Sequence, residues 1–247
     1  MFFKTFFAAF AMALVSYAAP TPIAGATPET LVERGAIYRL YTGDGSNWPA
    51  ISAWTTFDAM WTNNQAVMST SCSQFFQPNN SPAEIAVIKA AITSTASSSG
   101  VDERFILAIV MQESGGCVRA PSSAGQVFNH GLMQDHNGSN SCNRGGAAQT
   151  PCPAATIAGM IQDGTVGTLD QPGGGDGLKQ CLAQSGFGKT DQAAYVAARI
   201  YNSGSYTEGT DLGAPAWGTS CYSSDVANRL LGWAGSASPC TLPNPSH

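Results

Sequence analysis

Residues 102–116 have the sequence DERFILAIVMQESGG, which predicts the most clearly marked helix of the chain. Asp102 is a suitable N-cap, and the run from Phe105 to Met111 is apolar on nearly every face of such a helix. A helix that is apolar all round lies in a protein interior, so we expect this one to be the central helix of the domain. The two glycines at its end are stop signals, which place Glu113 in the last turn.

Glu113 is a candidate general acid because of where this helix ends. Burial disfavours the ionised form of a carboxyl, and the negative end of the helix dipole does the same, so both raise its pKa. A carboxyl that is still protonated near neutral pH is what general acid catalysis on a glycosidic oxygen requires. The alternative is a glutamate that is exposed at a helix end and has no catalytic role.

The chain on either side of this helix is again mainly helical in pattern. Ser81, Pro82 and Glu84 form a capping-box signature, and apolar residues follow at helical spacing as far as Ile92. Further helices are predicted over three segments: Ala154 to Ile161, Leu178 to Gln184, and Asp191 to Tyr201. Residues 117–152 are loop-rich, with room for short strands. The predicted fold class is therefore mainly α, with a small strand and loop region (α+β).

Three tryptophans, Trp48, Trp54 and Trp61, precede these helices. They could form platforms on which sugars stack, or they could pack in the core or at the surface. The second interpretation is favoured, because large aromatic side chains dominate the packing of protein cores.

Two further motifs follow Glu113-Ser114 along the chain. The first is the turn Gly131-Leu132-Met133-Gln134, and the second is Tyr201-Asn202-Ser203-Gly204 at the end of the last predicted helix. Together with a Glu-Ser pair at a helix end, these motifs resemble the soluble lytic transglycosylase and goose-type lysozyme group, glycoside hydrolase family 23. Ser203 stands where that group usually has alanine. The resemblance covers roughly residues 81–205, and it implies a lysozyme-like domain with a central buried helix.

The resemblance also implies roles for single residues. Glu113 would protonate the leaving oxygen of a β-1,4 link after an N-acetylhexosamine, and Tyr201 would touch or orient this acid. The residues expected to contact the sugar chain are Ser114, Met133, Gln134, Tyr201 and Asn202. From the residues alone, Met133 could instead pack in the core, and Asn202 could belong to a turn that ends a helix.

Asp135, which directly follows the Gly-Leu-Met-Gln turn, is the candidate second carboxylate. A hydrolase that inverts the anomeric centre needs a base to activate water, with the two carboxyl groups about 6.5–9.5 Å apart. Goose-type lysozymes have an acidic residue just after this turn, one position later than Asp135. Lytic transglycosylases need no such base, because the primary hydroxyl of the muramic sugar attacks and gives an anhydro product. We expect hydrolysis, because Asp135 is present and the chain is predicted to be secreted, but transglycosylation stays open.

Seven cysteines bear on the remaining alternatives. Disulfides are expected in a secreted chain, the odd number leaves at least one cysteine unpaired, and a Cys221–Cys240 pair would tie down the C-terminus. A zinc site has little support, because there is no Cys-x-x-Cys pair and His130 and His136 match no ligand pattern. A cysteine peptidase that uses Cys117 and His130 would need Cys117 as a free thiolate. We therefore expect no metal and no cofactor.

The first residues predict export from the cell. Lys4 precedes the apolar run from Phe6 to Val15, and small residues follow, which is the pattern of a secretory signal peptide over residues 1–19. Residues 20–34 are rich in Pro, Thr and Ala and are interpreted as a propeptide or a disordered leader. Residues 35–247 have a length that suits one catalytic domain. We therefore expect a secreted, extracellular protein.

The charge of the chain limits the classes of partner. The net charge is −5 and there is no basic patch, which argues against a nucleic acid partner, and no second apolar stretch suggests a membrane partner. We expect a monomer that acts on a polysaccharide, either peptidoglycan or chitin. An acidic protein is not drawn to anionic bacterial walls, so chitin cleavage stays open. A catalytically silent glycan-binding protein is a further alternative, which the presence of Glu113 argues against.

Overall fold

The computed structural model describes residues 37–124 and 127–245. The predicted signal peptide (residues 1–19) and leader (residues 20–34) lie outside these residues, and both stay predictions. The described residues belong to one compact unit. In these ranges no helix combines the length and the hydrophobicity that are required to span a bilayer.

Within the described residues the regular structure is mainly helical, which confirms the mainly α prediction. The α-helices there are α1 (Phe57–Met68), α2 (Pro82–Ser99), α3 (Glu103–Ser114), α4 (Ala154–Val166), α5 (Leu178–Gln184), α6 (Asp191–Ser203) and α7 (Tyr222–Leu230). The predicted capping box at the start of α2 is present: the Ser81 hydroxyl accepts from the Glu84 N–H, and the Glu84 carboxylate accepts from the Ser81 N–H. The helix predicted to end at Ile161 continues to Val166.

Short strands occupy the region between α3 and α4, as the sequence predicts. They are β1 (Ser123–Ala124), β2 (Phe128–His130), β3 (Asp135–His136), β4 (Asn143–Arg144) and β5 (Ala147–Ala148). β1, β2 and β3 form an antiparallel sheet in that order, with His130 opposite Asp135, and β4 pairs with β5. A 3₁₀ turn over Gly131–Met133 joins β2 to β3 and carries the second motif.

The helix α3 is central, as predicted. Every residue from Phe105 to Met111 is buried, and α3 packs against α1, α2, α4, α7 and the 3₁₀ turn. Full burial of a large apolar side chain contributes about 1.5–3 kcal/mol, so this run supplies a large share of the core energy. Gly131 allows the 3₁₀ turn to pack closely against α4, because a Cβ at its positive φ of 64° would collide with the side chain of Met160 in that helix.

Two helices, α1 and α7, are absent from the sequence prediction. The helix α1 and the loop before it contribute Trp48, Trp54 and Trp61 to the core, where each is less than a tenth exposed. The Trp54 indole N–H donates to the Tyr195 hydroxyl at 3.0 Å. The packing interpretation of these tryptophans is therefore confirmed, and the sugar-platform interpretation is wrong.

Three disulfides join Cys72 to Cys117, Cys142 to Cys152 and Cys221 to Cys240. The predicted late pair is confirmed, and the unpaired cysteine is Cys181, which is buried. Because Cys117 is bonded to Cys72, it cannot be a thiolate nucleophile. The alternative of a cysteine peptidase that uses Cys117 and His130 is therefore wrong for this structure.

Candidate active site

Glu113 lies in the last turn of α3, half-buried at the wall of a cleft of about 670 Å³. The cleft runs between the end of α1, the end of α3 and the face of α7. Its other polar or charged walls include Gln74, Gln112, Asp225, Arg229 and Ser238. The predicted acid therefore faces open space of a size that could admit a sugar.

The carboxyl of Glu113 is held by Tyr222, the first residue of α7, whose hydroxyl donates to Glu113 Oε1. Burial raises the pKa of Glu113 to about 7, although the hydrogen bond from Tyr222 lowers it in part. The pKa of Tyr222 is itself raised well above its usual value by burial and by Glu113, so it stays a donor. Glu113 is thus a protonated acid in mildly acid solution, with Oε1 occupied and Oε2 left to carry the proton.

Tyr201 does not make the contact that the sequence predicts for it. Its hydroxyl donates to the carbonyl of Met133 at 2.8 Å, which ties the end of α6 to the Gly131–Met133 turn. Burial and the nearby Glu113 raise the pKa of Tyr201 well above its usual value, so it lies near the acid without bonding to it. The orienting contact predicted for Tyr201 is made by Tyr222 instead.

Ser114 and Met133 were expected to contact the sugar, but their side chains are buried. The Ser114 hydroxyl donates to the carbonyls of Leu132 (2.8 Å) and Val110 (3.1 Å), and Ser114 is 2% exposed. Met133 is fully buried and accepts a contact from the Thr165 hydroxyl at its sulfur. This correction has a simple cause: Ser114 ties the 3₁₀ turn to α3, and Met133 packs the same turn against α4. Both side chains are used to hold the turn next to the end of α3, where Glu113 lies.

Gln134 follows this turn in the left-handed region, with φ 46°. Its amide donates to the carbonyls of Pro121 and Gly131, and its Oε1 accepts from the Ser123 hydroxyl. Gln134 and Tyr201 line a second cavity of about 370 Å³, whose other walls come from β2, β3, the loop before α5, and the helices α5 and α6. Gln134 is therefore a wall of this second cavity, fixed by three hydrogen bonds.

Asn202 anchors a loop. Its Oδ1 accepts from the backbone N–H of Thr219 at 2.7 Å and from the guanidinium of Arg199. The side chain thus ties the loop before α7 to the end of α6, and this loop leads directly to Tyr222. Asn202 belongs to neither of the two cavities described above.

Asp135 is placed differently from the prediction. Its side chain is 2% exposed, its Oδ1 accepts from the Gly138 N–H at 2.8 Å, and its buried Oδ2 has no hydrogen-bond partner among the described residues. Burial and the neighbouring Asp163 raise its pKa to about 8. Asp135 is therefore a neutral buried acid outside the cleft of Glu113, which removes it from the position of a base that activates water.

The direction of the Asp135 side chain is set by its place in β3. Successive side chains of a strand point to opposite faces, and His136, the next residue, is the one that lines the second cavity. Asp163 is also buried, and its Oδ2 accepts from the side-chain amide of Asn140 at 2.9 Å. Neither carboxyl lines the cleft of Glu113.

The carboxylate that shares the cleft with Glu113 is Asp225, in α7. Its Oδ1 accepts from the hydroxyls of Tyr38 (2.6 Å) and Ser238 (2.7 Å), and its Oδ2 accepts from the Gln112 amide at 3.2 Å. It is 2% exposed and already accepts three hydrogen bonds, so its side chain has a structural role and both of its oxygens are occupied. It fixes Gln112, the neighbour of the acid, against α7.

Sequence reasoning missed Tyr222 and Asp225 because both lie beyond residue 205, where the family resemblance ends. One signal was available. The two residues are three positions apart, and on a helix such residues share a face. The segment directly after Cys221 could therefore have been recognised as a helix with one polar, inward face.

Comparison of the chain with protein-family models, with curated proteins and with solved structures gave no match. The resemblance to glycoside hydrolase family 23 therefore rests on the motifs alone. The chemistry of the site rests on the geometry around Glu113.

Proposed function

We propose that this protein is a secreted, lysozyme-like glycosidase that cleaves the β-1,4 link between N-acetylmuramic acid and N-acetylglucosamine in peptidoglycan. The observation that carries the proposal is Glu113: a carboxyl with a pKa of about 7, at the end of the central buried helix and at the wall of an open cleft. The three motifs of the sequence and the three disulfides support it. A purely glycan-binding protein would have no need of a carboxyl with a raised pKa at this place.

The acid step follows from the contacts of Glu113. Tyr222 occupies Oε1, so the proton on Oε2 is the one available to the glycosidic oxygen. As that oxygen takes the proton, the bond from the anomeric carbon to it breaks, and the sugar ring develops positive charge. The Glu113 carboxylate that forms is stabilised by the Tyr222 hydroxyl, because hydrogen bonds to a charged acceptor are the stronger kind.

The burial of Asp135 favours the transglycosylase route for the second step, the attack on the anomeric carbon. In that route the primary hydroxyl of the muramic sugar attacks its own anomeric carbon, and its proton returns to the Glu113 carboxylate. A new carbon–oxygen bond closes the anhydro ring, and the enzyme is regenerated with no second carboxylate. Hydrolysis with Asp135 as the base would require Asp135 to leave its buried position.

Cleavage of purified peptidoglycan in heavy-oxygen water tests the proposal, with the products analysed by mass spectrometry. Anhydro ends without heavy oxygen are expected from the transglycosylase route. Heavy oxygen at the new reducing ends would show hydrolysis, which keeps the glycosidase proposal and rejects the favoured route. If the wild-type protein releases no fragment from peptidoglycan, the proposed function is wrong.

Replacement of Asp135 by asparagine should change the cleavage rate by less than about threefold, because general base catalysis would be worth far more, about 10²- to 10⁴-fold. With a pKa of about 8, the carboxyl of Asp135 is neutral at pH 6, and asparagine has nearly the same shape. Initial rates at pH 6, with circular dichroism as a check of folding, measure the effect. A loss of 100-fold or more in a folded variant would restore Asp135 as the base.

The pH dependence of kcat/KM should follow the ionisation of Glu113. Because the acid must be protonated and its pKa is about 7, kcat/KM should be level in mildly acid solution and fall above that value, about tenfold per pH unit. The measurement is a rate profile in the Asp135→Asn background, so that the ionisation of Asp135, whose pKa is about 8, does not contribute to it. A profile that rises above pH 7 would show that Glu113 acts in its ionised form instead.

A further inference from the structure

Arg229 is a buried cation in the same cleft as Glu113. It is 5% exposed, lies near the end of α7 and forms part of the cleft wall. Tyr222, which holds the acid, lies about two helical turns earlier on the same helix, and residues at that spacing share a face. One helix thus carries both the partner of the acid and a positive charge into the cleft.

The guanidinium of Arg229 is held in one orientation. Its Nε donates to Oε1 of Gln112 at 2.8 Å, and its Nη1 donates to the carbonyl of Gly235 at 3.4 Å. Its carbon lies 4.6 Å from the ring centre of Trp233, within the range of a cation–π contact. Among the described residues, none accepts a hydrogen bond from Nη2, so one edge of the fork is available to a ligand in the cleft.

Arg229 also lacks the carboxylate partner that buried charges ordinarily have. The ion pairs within the described ranges join Lys89 to Asp58, Arg104 to Asp102 and Arg119 to Glu84, and none includes Arg229. The nearby Asp225 is connected to Arg229 through the side chain of Gln112 rather than directly. Burial lowers the pKa of Arg229 to about 10 and Asp225 raises it, so the guanidinium stays charged at neutral pH.

We propose that Arg229 binds a carboxylate carried by the sugar chain, so that this cleft selects carboxylate-bearing aminoglycans over neutral chitin. The proposal rests on the proposed function and adds the substrate class of the same site. A guanidinium suits this task, because its fork binds a carboxylate through two parallel hydrogen bonds. The carboxylate could belong to the lactyl group of muramic acid or to a peptide attached to it, and the chemistry that Arg229 recognises is the same.

The other charges in the cleft allow this binding. Glu113 is neutral below its pKa of about 7, and both oxygens of Asp225 are occupied by hydrogen bonds from Tyr38, Ser238 and Gln112. The chain as a whole carries a net charge of −5 and gives no long-range attraction to an anionic glycan. The cation of Arg229 in the wall of the cleft is therefore the feature that would hold such a substrate.

The first test compares three substrates: a peptide-free muramic acid tetrasaccharide, the same tetrasaccharide with its peptides, and chitotetraose. Arg229→Gln should lower kcat/KM on the carboxylate-bearing glycans by about 10- to 100-fold, as expected for hydrogen bonds to a charged group. The loss on chitotetraose should stay below about threefold, because chitotetraose carries no carboxylate that Arg229 could bind. An equal loss on charged and neutral substrates would overturn the proposal. Arg104→Gln is the matched control, because Arg104 also lies over a tryptophan, Trp54, but outside the cleft.

A second measurement does not depend on the folding of an Arg229 variant. Calorimetry with the Glu113→Gln protein would compare the peptide-free tetrasaccharide with its form in which the carboxylates are converted to amides. The carboxylate form should bind about 10-fold or more tightly than the amide form. The same comparison is made for the peptide-bearing tetrasaccharide and its amide form. If the carboxylate and amide forms bind equally tightly in both pairs, Arg229 does not have the proposed role. A preference for carboxylates in calorimetry, together with a wild-type protein that cleaves no glycan, would instead reject the proposed function and keep the binding site.

Discussion

Replacement of Glu113 by glutamine is expected to lower the rate of glycan cleavage by about 10²- to 10⁴-fold, the usual contribution of general acid catalysis. The amide nearly matches the carboxyl in size, and it can still accept the hydrogen bond from Tyr222. It cannot deliver a proton to the leaving oxygen. The assay is the release of soluble fragments from peptidoglycan at pH 5 to 6, where the wild-type carboxyl is protonated.

The folded state of this variant can be checked independently, because the raised pKa of Glu113 is also a statement about stability. The native protein loses stability as the pH rises from the ordinary value of 4.5 towards about 7, since the folded state then binds more protons than the unfolded state. Glutamine does not ionise, so the variant should melt no earlier than the wild type at pH 8.

Glu103→Gln is the matched control for activity. Glu103 lies in the first turn of the same helix, about 15 Å from Glu113 along the axis. The same chemical change at that end should leave the rate within about twofold of the wild type, since it touches neither the cleft nor the acid. A folded Glu113→Gln protein with wild-type activity would show that another group protonates the leaving oxygen.

The burial of α3 could be predicted from the sequence and the burial of α7 could not, because a local pattern shows apolar residues but does not show the distant partners of polar ones. The run from Phe105 to Met111 is apolar, so its burial follows from composition alone. All residues of α7 are buried as well, but many are polar, and their partners lie far away along the chain. The backbone N–H groups of Arg39 and Tyr41, for example, donate to Asn228 and Ser224. Periodicity cannot show such partners.

The helix α1 was predictable in principle. Its buried residues Phe57, Met60, Trp61 and Met68 have helical spacing, and Thr56 is a suitable N-cap whose hydroxyl accepts from the Ala59 N–H. The polar run Thr62 to Gln65 hides this pattern. A count of matches to the helical template over residues 57–68 would have found the helix.

The sequence could predict the candidate site residue whose place depends on local structure, which is Glu113. It could not predict the residues whose place depends on the packing of distant helices. Glu113 follows from the end of a buried helix. Asp135 directly follows the turn, but its side chain lies on the buried face of β3, and a strand of two residues has no periodicity from which that face could be predicted. Tyr222 and Arg229 reach the cleft because α7 packs on α3, a contact that no local pattern contains. The sequence therefore predicted the position of Glu113 at the end of a buried helix, and the structure supplied its hydrogen-bond partner; its role as an acid stays a prediction.

Replacement of Arg119 by methionine should lower the free energy of unfolding by about 3–5 kcal/mol, the cost of leaving one member of a buried ion pair without its partner. Arg119 is 1% exposed and pairs with Glu84, which is 4% exposed. Its guanidinium also donates to the carbonyl of Gln149 at 2.8 Å and to the hydroxyl of Thr150 at 3.0 Å. The change would thus leave a buried anion and several acceptors unpaired.

This network matters because it surrounds the chain directly after the acid. The Cys72–Cys117 disulfide and Arg119 follow Glu113 closely in the sequence, and Glu84 joins this segment to the start of α2 and, through the Cys152 N–H at 2.7 Å, to the Cys142–Cys152 disulfide. Since whole domains are stable by about 5–15 kcal/mol, the variant could be folded only marginally. Chemical denaturation, followed by tryptophan fluorescence, measures the loss.

The pH dependence of this loss separates the charge from the packing. Burial raises the pKa of Glu84, but the hydrogen bonds from Ser81, Cys152 and Arg119 outweigh it, so the wild-type pKa is lowered below its ordinary value of 4.5. The stabilisation from this lowered pKa is present above pH 4.5 and is lost as the pH falls below it. Without Arg119 the effect of burial is opposed by fewer hydrogen bonds, so the pKa of Glu84 rises and its carboxylate is protonated more easily. The loss in the free energy of unfolding should therefore be smaller at about pH 4 than at pH 7. Asp58→Asn, which breaks the exposed pair with Lys89, is the control and should cost less than about 1 kcal/mol. A deficit of Arg119→Met that is equally large at both pH values would show that lost packing, and not the unpaired carboxylate of Glu84, is responsible.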